Sequence, residues 1–173
     1  ATIRRQRQMC IRDSYDKDTG NSKGTDAGKP VILDMDGDGI EISVNSGVSF
    51  DWDDDGYVEQ TAWVAPDDAF LVVDLAADGS FGPGDGVIDQ AREVAFSLWG
   101  PDGATDLQAL AQARDGDGDR VFDTTGDGAL TAADGAWGAL RVWQDVNQNG
   151  VADAGELRTL DAAGISRIGL TYD

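Results

Sequence analysis

The sequence DTTGDGALTAADGAWGALRVWQDVNQNGVADAGE, residues 123–156, contains two twelve-residue stretches in which side chains that carry oxygen recur at alternate positions. Calcium takes about six to eight oxygen ligands, and a calcium loop of this length supplies them from positions 1, 3, 5, 7, 9 and 12. Position 7 ligates through its backbone carbonyl, and Gly at position 6 permits the sharp turn. Both stretches match this spacing, so we expect each of them to bind a calcium ion.

Residues 145–156 match at every position, and residues 123–134 match with Asp in place of Glu at position 12. The predicted ligands are Asp145, Asn147, Asn149, Val151, Asp153 and Glu156 in one loop, and Asp123, Thr125, Asp127, Ala129, Thr131 and Asp134 in the other. Trp137, Leu140 and Trp143 recur between the loops at helical spacing. We therefore expect an EF-hand pair of helix–loop–helix units spanning residues 123–156, with the two loops facing each other.

Four earlier Asp-rich segments match the calcium spacing less completely. In the first, position 12 is Asn45, so Glu41 or a distant acid must complete the site. In the third, the insertion at Gly82–Gly84 leaves either one stretched site or two broken ones. The predicted ligands are Asp34, Asp36, Asp38 and Ile40; Asp51, Asp53, Asp55 and Tyr57, with Glu59 as a further candidate; Asp74, Asp78, Asp85 and Asp89; and Asp115, Asp117 and Asp119.

Two other interpretations of these segments compete with calcium binding. Asp-Gly pairs are ordinary turn residues, because Asp caps turns and Gly adopts positive φ, although this explains one cluster better than the whole set. Magnesium also binds carboxylates, but it prefers octahedral sites that keep several waters. Calcium is therefore the expected ion, and several ions are expected.

Composition excludes several classes of function. The formal charge of -20 repels nucleic acid and anionic membranes, and residues 31–173 hold 29 acids against 6 bases. The absence of His removes Ser-His and Cys-His nucleophiles and the usual imidazole metal sites. No apolar run is long enough to span a bilayer, so we expect no membrane insertion. A calcium sensor that exposes a groove for partner peptides would need a Met-rich surface. Only Met9 and Met35 are present, so the composition disfavours a sensor.

The chain divides near residue 30. Residues 1–29 lack periodicity and are expected to be a disordered tail, and residues 4–14, RRQRQMCIRDS, resemble translated cloning or adapter sequence. Residues 30–173 are expected to form one module of α+β class, with short strands and Asp/Gly loops in 30–89. In 90–173 we expect helices, one capped by Asp89 and one that begins with a capping box of Thr105 and Gln108. We also expect the loop pair there, and a terminal strand with Ile168, Leu170 and Tyr172 alternating. The five Trp residues are expected in the core rather than at a carbohydrate site.

Residues 30–173 resemble calcium-dependent regions of large RTX-type bacterial exoproteins, and are similar in particular to the self-processing module of iron-regulated RTX proteins. The resemblance is carried by PVILDMDGDGIE from Pro30, FDWDDDGYVEQTAWV from Phe50, DDAFLVVDLAADG from Asp67 and FDTTGDGALTAADGAWGALRVWQDVNQNGVADAGEL from Phe122. It implies a longer parent polypeptide that is secreted by a type I system and folds on meeting extracellular calcium. The parent's protein target is left open.

The same resemblance implies autoproteolysis as the alternative function. In that family an Asp carboxylate attacks its own Asp-Pro peptide bond just before the strand that leads into the first loop. Here Lys29 precedes Pro30 and no Asp-Pro dipeptide occurs in the chain, so the expected function is structural calcium binding and not catalysis. The G-G-x-G-x-D repeats of RTX proteins are also absent from these residues.

Overall fold

The computed structural model describes residues 30–171. The predicted disordered tail, residues 1–29, lies outside the described residues, as do Tyr172 and Asp173. None of the helices within 30–171 combines the length and the apolar character that crossing a membrane requires.

The described residues are mostly β, so the predicted α+β class with EF-hand helix–loop–helix units is wrong. The strands are β1 (Ile32–Leu33), β2 (Ile42–Ser43), β3 (Ser49–Phe50), β4 (Glu59–Gln60), β5 (Trp63–Val64), β6 (Ala69–Val73), β7 (Ala129–Thr131), β8 (Leu140–Trp143), β9 (Leu157–Thr159) and β10 (Arg167–Gly169). The α-helices are α1 (Ala91–Val94) and α2 (Asp106–Gln112), and 3-10 turns cover Phe96–Trp99 and Trp137–Ala139.

A four-stranded antiparallel sheet in the order β1-β6-β8-β9 forms the centre of the fold. Three two-stranded antiparallel sheets surround it and pair β2 with β5, β3 with β4, and β7 with β10. The central sheet takes β1 and β6 from residues 30–89 and β8 and β9 from residues 90–171. The two halves of the chain therefore share one sheet.

Successive side chains of a strand point to opposite faces of its sheet, and β6 is buried on both faces. Leu71 and Val73 pack with α2, Phe96, Phe122 and Leu140 on one face. Phe70 and Val72 pack on the other face with Phe50, Trp63 and Trp143. We call Phe50, Trp52, Trp63, Phe70 and Trp143 the aromatic cluster, because each ring lies within 6.4 Å of another ring of the set.

The helix predicted between the two C-terminal loops is absent. Trp137 lies in a 3-10 turn, and Leu140 and Trp143 are the first and last residues of β8. Strand β8 lies between β6 and β9, so its apolar residues are buried on both faces of the sheet. A short apolar run buried in this way is compatible with helical spacing, and tertiary pairing decides its structure.

Other local predictions are confirmed. Thr105 caps α2 by accepting the N–H of Gln108 through Oγ1 at 3.2 Å, and the Gln108 side chain accepts the Thr105 N–H at 2.9 Å. Strand β10 carries the buried Ile168 and precedes the buried Leu170, in the predicted alternation. Of the five Trp residues expected in the core, Trp63, Trp137 and Trp143 are buried there, and Trp52 and Trp99 are partly buried and pack against it.

Candidate metal centres

Residues 145–156 form a closed loop between β8 and β9. Asp145 is completely buried and accepts the N–H groups of Asn149 at 3.1 Å and Gly150 at 2.8 Å. Glu156 accepts the N–H groups of Val146, Asn147 and Asp153 at 3.0–3.4 Å. The first and last acids of the loop are thus held by its own backbone. A carboxylate oxygen that accepts one N–H keeps a lone pair for a cation.

Asn147, Asn149 and Asp153 meet inside the same loop. The amide groups of Asn147 and Asn149 both donate to Oδ2 of Asp153, at 2.7 and 2.8 Å. These two bonds hold the pKa of Asp153 below its ordinary value. The predicted ligands at positions 3, 5 and 9 therefore converge on one point, with a carboxylate that is charged at neutral pH.

Residues 123–134 repeat this hydrogen-bond pattern. Asp123 accepts the N–H groups of Asp127 at 3.2 Å and Gly128 at 3.1 Å, which are again positions 5 and 6. Asp134 accepts the N–H groups of Thr125 at 3.0 Å and Thr131 at 2.9 Å. Burial raises the pKa of Asp134, but these bonds and those from the Thr124 and Thr125 side chains outweigh it, so the pKa is lowered. The shorter Asp at position 12 still reaches the loop backbone.

The two C-terminal loops do not form the predicted EF-hand pair. Strand β7, which lies inside loop 123–134, pairs with β10 and not with loop 145–156. Loop 145–156 instead packs against β3 and β5, which come from the N-terminal half. The 3-10 turn and β8 separate the loops, since β8 begins six residues after Asp134 and ends two residues before Asp145.

The first Asp-rich loop, residues 34–40, is completed by Asp68. Oxygens of Asp34, Asp36 and Asp68 lie within 4.8 Å of one another. Asp68 is buried and accepts the N–H groups of Met35 at 3.3 Å and Glu41 at 2.9 Å. Asp68 therefore accepts backbone N–H groups of this loop, as Glu156 does in loop 145–156. The sequence predicted a distant acid or Glu41 here. The structure places Asp68 at the site, while the Glu41 side chain is exposed.

Charges within this first loop repel one another. Burial raises the pKa of Asp68. A hydrogen bond shared with the Asp36 side chain, together with its negative charge, raises the pKa of Asp38 to about 6. Both shifts mean that the folded loop disfavours the fully ionised state. A bound divalent cation would reverse that preference.

The second loop, residues 51–59, joins β3 to β4 and has the same local geometry. Asp51 accepts the N–H groups of Asp55 at 3.2 Å and Gly56 at 2.9 Å, and Asp55 accepts the N–H of Tyr57 at 2.8 Å. Oxygens of Asp51, Asp53 and Glu59 lie within 4.8 Å of one another. Most of this loop is exposed. This loop therefore supplies three carboxylates, none of which is buried.

Residues 74–93 form one stretched segment rather than two broken ones. Asp74 accepts the N–H of Gly86 at 3.0 Å across the insertion. A Cβ on Gly84 would lie 2.1 Å from the Asp74 carboxylate, so only Gly permits this approach. Asp85 accepts the N–H of Val87 at 2.9 Å. Asp78, by contrast, accepts from Ser80 in an exposed turn, which lowers the pKa of Asp78, and no contact brings it to Asp74.

Glu93 closes this third segment, and the sequence interpretation missed it. Its carboxylate is completely buried and accepts the N–H groups of Leu75, Asp89 and Gln90, each at 3.0 Å. Burial raises the pKa of Glu93. The available signal was a capping box, since Glu93 lies three residues after Gln90, which caps α1 in place of the predicted Asp89.

Residues 115–119 form an ordinary turn. Asp115 accepts the N–H groups of Asp117 at 3.0 Å and Asp119 at 2.9 Å, and an antiparallel bridge between Arg114 and Arg120 closes the turn. Within residues 30–171, two sets of three acidic side chains have oxygens within 4.8 Å, and Asp115, Asp117 and Asp119 are not among them. The geometry here fits the turn interpretation.

Five segments therefore share one arrangement. The first acid of each accepts the N–H of a Gly with positive φ: Gly37, Gly56, Gly86, Gly128 and Gly150. A second acid accepts further N–H groups of the same segment: Asp68, Glu59, Glu93, Asp134 and Glu156. Among these acids, ion pairs within the described residues reach Asp74, from Arg141 at 3.4 Å, and Asp123, from Arg120 at 3.8 Å.

Comparison with known proteins matches residues 31–173 to the SPM domain family. The chain is also similar to the iron-regulated protein FrpA of Neisseria meningitidis serogroup C, with 38% identity over 146 residues. The aligned part is 83% of this chain and 12% of that protein, so the chain spans about an eighth of the relative's length. Both matches support the relation to iron-regulated RTX proteins that the sequence motifs imply.

Proposed function

The chain belongs to the SPM domain family, and within that family we propose that it is a structural calcium-binding module. Its role is to fold around several calcium ions as part of a longer RTX-associated protein. The observation that carries this proposal is the shared arrangement of the five segments, in which two acids of each segment are fixed by backbone N–H groups.

The chemistry of the donor set favours calcium. Loop 145–156 offers two carboxylates at its ends, two amide side chains, Asp153 and the carbonyl of Val151, which is a set of oxygen donors and lacks nitrogen or sulfur ligands. Residues 34–40 together with Asp68, which we call segment 34–68, bring three carboxylates together. Loop 51–59 brings together three others. Magnesium holds several waters and is bound through one or two carboxylates, so it uses such a set poorly.

A structural role is supported by where the closing acids lie. Asp68, Glu93, Asp134 and Glu156 are buried beside strands and helix ends, and each joins backbone groups of its own segment. An ion held by these groups would tie the strand ends together. We also propose that the parent protein is exported and that this module folds outside the cell, since a ligand that binds only the folded state stabilises it in proportion to the ligand's availability.

The experiment is calorimetric titration of the full chain with calcium, followed by the same titration with magnesium. We expect saturable calcium binding at more than one site and magnesium binding at least tenfold weaker. The absence of calcium binding at millimolar concentration would contradict the proposed function. Equal affinity for both ions would contradict the assignment to calcium.

A further inference from the structure

Trp63 connects loop 145–156 to the N-terminal half of the chain. Its indole Nε1–H donates to Oδ2 of Asp145 at 2.8 Å, between residues 82 positions apart in sequence. Both side chains are buried, with 1% and 0% of their surfaces exposed. A hydrogen bond to a buried carboxylate helps to fix that carboxylate, because its loss would leave the buried charge with fewer partners and no water to replace them.

Two further contacts join the same loop to β3 and β5. Gly150 lies against β3, where a Cβ would come within 2.8 Å of the Ser49 carbonyl oxygen and of Cγ1 of Val48. The Gln148 side chain donates to the carbonyl of Val64, in β5, at 3.0 Å. The loop that binds the ion is therefore also a surface on which two strands of the N-terminal half rest.

The aromatic cluster extends this connection to loop 51–59. The Trp63 ring centroid lies 6.0 Å from that of Phe50 and 6.4 Å from that of Trp52, the residues on either side of Asp51. Trp143 lies 5.5 Å from Trp63 in the same cluster. Its indole Nε1 is buried without a hydrogen-bond partner. Trp143 therefore packs as Trp63 does but holds no carboxylate.

We propose that Trp63 is the positioning residue of the ion site in loop 145–156, and that a cation bound there fixes β3 and β5 of the N-terminal half. This inference rests on the proposed function. Asp145 can bind the ion only while its carboxylate keeps its orientation, and the Trp63 indole supplies one of the three hydrogen bonds that set it. In return, an ordered loop gives Trp63, Ser49 and Val64 a fixed surface.

The first test compares Trp63→Phe with Trp143→Phe in the full chain. Both changes remove similar volume from one cluster, but only Trp63→Phe removes a hydrogen bond to a ligand. Calcium titration is followed by nuclear magnetic resonance at the Gly150 and Gly128 amides, which report loops 145–156 and 123–134 separately. We expect Trp63→Phe to weaken binding at Gly150 about tenfold and to leave Gly128 unchanged.

Trp143→Phe should leave both midpoints within about twofold of those of the unsubstituted chain. Equal weakening at Gly150 by the two variants would overturn the positioning role while leaving calcium binding intact. If the unsubstituted chain binds no calcium, the proposed function fails and this inference fails with it.

The second test covers the case in which Trp63→Phe does not fold. Gly150→Ala pushes the loop away from β3 without removing a ligand, and Gly128→Ala is its control at the same loop position, where the nearest contact is 3.6 Å. Both residues have positive φ, at 75° and 79°, so backbone strain is matched.

Hydrogen exchange is measured at the Thr61 and Ala65 amides, which donate to Val48 and Glu41. We expect calcium to slow this exchange at least tenfold in the unsubstituted chain and in Gly128→Ala, and much less in Gly150→Ala. Equal slowing in all three proteins would overturn the inference.

Discussion

Buried carboxylates are the unusual residues of this chain. Four of them, Asp68, Glu93, Asp134 and Glu156, are at most 8% exposed, and backbone N–H groups satisfy part of their hydrogen-bonding capacity. Neither of the ion pairs within residues 30–171 reaches these four acids. Removing a charged carboxylate from water costs several kcal/mol unless an opposite charge compensates. Calcium is the compensation that we propose.

Asp68 provides the sharpest test at this scale. Asp68→Asn replaces one acceptor oxygen by an NH₂ group that opposes the N–H of Met35 or Glu41, and it removes one of three converging carboxylates. We expect calcium affinity at segment 34–68 to fall at least tenfold by calorimetry. Asp67→Asn is the matched control, because Asp67 is exposed. Equal affinity in the two variants would show that Asp68 is not a ligand.

The position of Asp68 also shows why spacing alone could not identify it. Strand β1 pairs with β6 so that Leu33 faces Ala69, which places Asp34 beside Asp68. That contact depends on antiparallel pairing across the chain. Loop 145–156, by comparison, contains all its predicted ligands within twelve consecutive residues, so spacing alone identifies the whole candidate set.

At the level of elements, loop 145–156 connects two strands where the sequence predicted helices. Loop 145–156 closes the β8–β9 hairpin, since Trp143 faces Leu157 and the Gln144 N–H donates to the Glu156 carbonyl at 3.0 Å. Loop 51–59 closes the β3–β4 hairpin in the same way. The ligand spacing determines the local backbone, but it does not determine which element enters or leaves the loop. The Thr105 capping box was predictable because its contacts are local.

The closing acid of a loop should matter more than an exposed acid. Glu156→Ala leaves three N–H groups without their acceptor, whereas Glu59→Ala removes one bond, from Trp52 at 3.3 Å, on an exposed loop. In calcium, we expect the free energy of unfolding to fall by about 1–3 kcal/mol for Glu156→Ala and by a smaller amount for Glu59→Ala, because Glu59 is exposed and holds fewer N–H groups. Urea denaturation measures both values. Equal, negligible effects would contradict the assigned role of Glu156.

At the scale of the whole molecule, charge and fold oppose each other when no cation is bound. Residues 31–173 carry 29 acids against 6 bases. Asp34, Asp68, Asp74 and Glu156 directly adjoin strands of the central sheet. Self-repulsion therefore acts against the compact state. Calcium bound in the loops would remove the repulsion at the points where the strands meet.

The pKa shifts predict how stability depends on pH without calcium. The pKa values of Asp38, at about 6, and of Asp68 and Glu93 are raised in the folded chain. Protonation of these groups favours folding, so their contribution is present at low pH and is lost as pH rises through the folded pKa. The pKa values of Asp78, Asp134 and Asp153 are lowered in the folded chain, so ionisation of these groups favours folding. That contribution is present above about pH 4 and is lost as pH falls below it.

We therefore expect the melting temperature of the metal-free chain to fall between about pH 4.5 and about pH 7. With millimolar calcium it should rise over the same range, because ionised carboxylates bind the ion. Thermal unfolding followed by circular dichroism measures both curves. A metal-free chain that becomes more stable as pH rises would contradict the role of the raised carboxylates.

The most direct test of the central claim is whether the chain folds on calcium. A ligand that binds only the folded state adds RT ln(1 + [L]/Kd), so a site with Kd of ~10 μM in ~1 mM calcium contributes roughly 2.7 kcal/mol. Two such sites contribute about 5 kcal/mol, which is comparable with the whole stability of a small domain. Circular dichroism and Trp fluorescence should be recorded with chelator and then with millimolar calcium. We predict a large gain in ordered structure and in melting temperature on adding calcium. A chain that is equally structured and equally heat-resistant in both conditions would contradict the account.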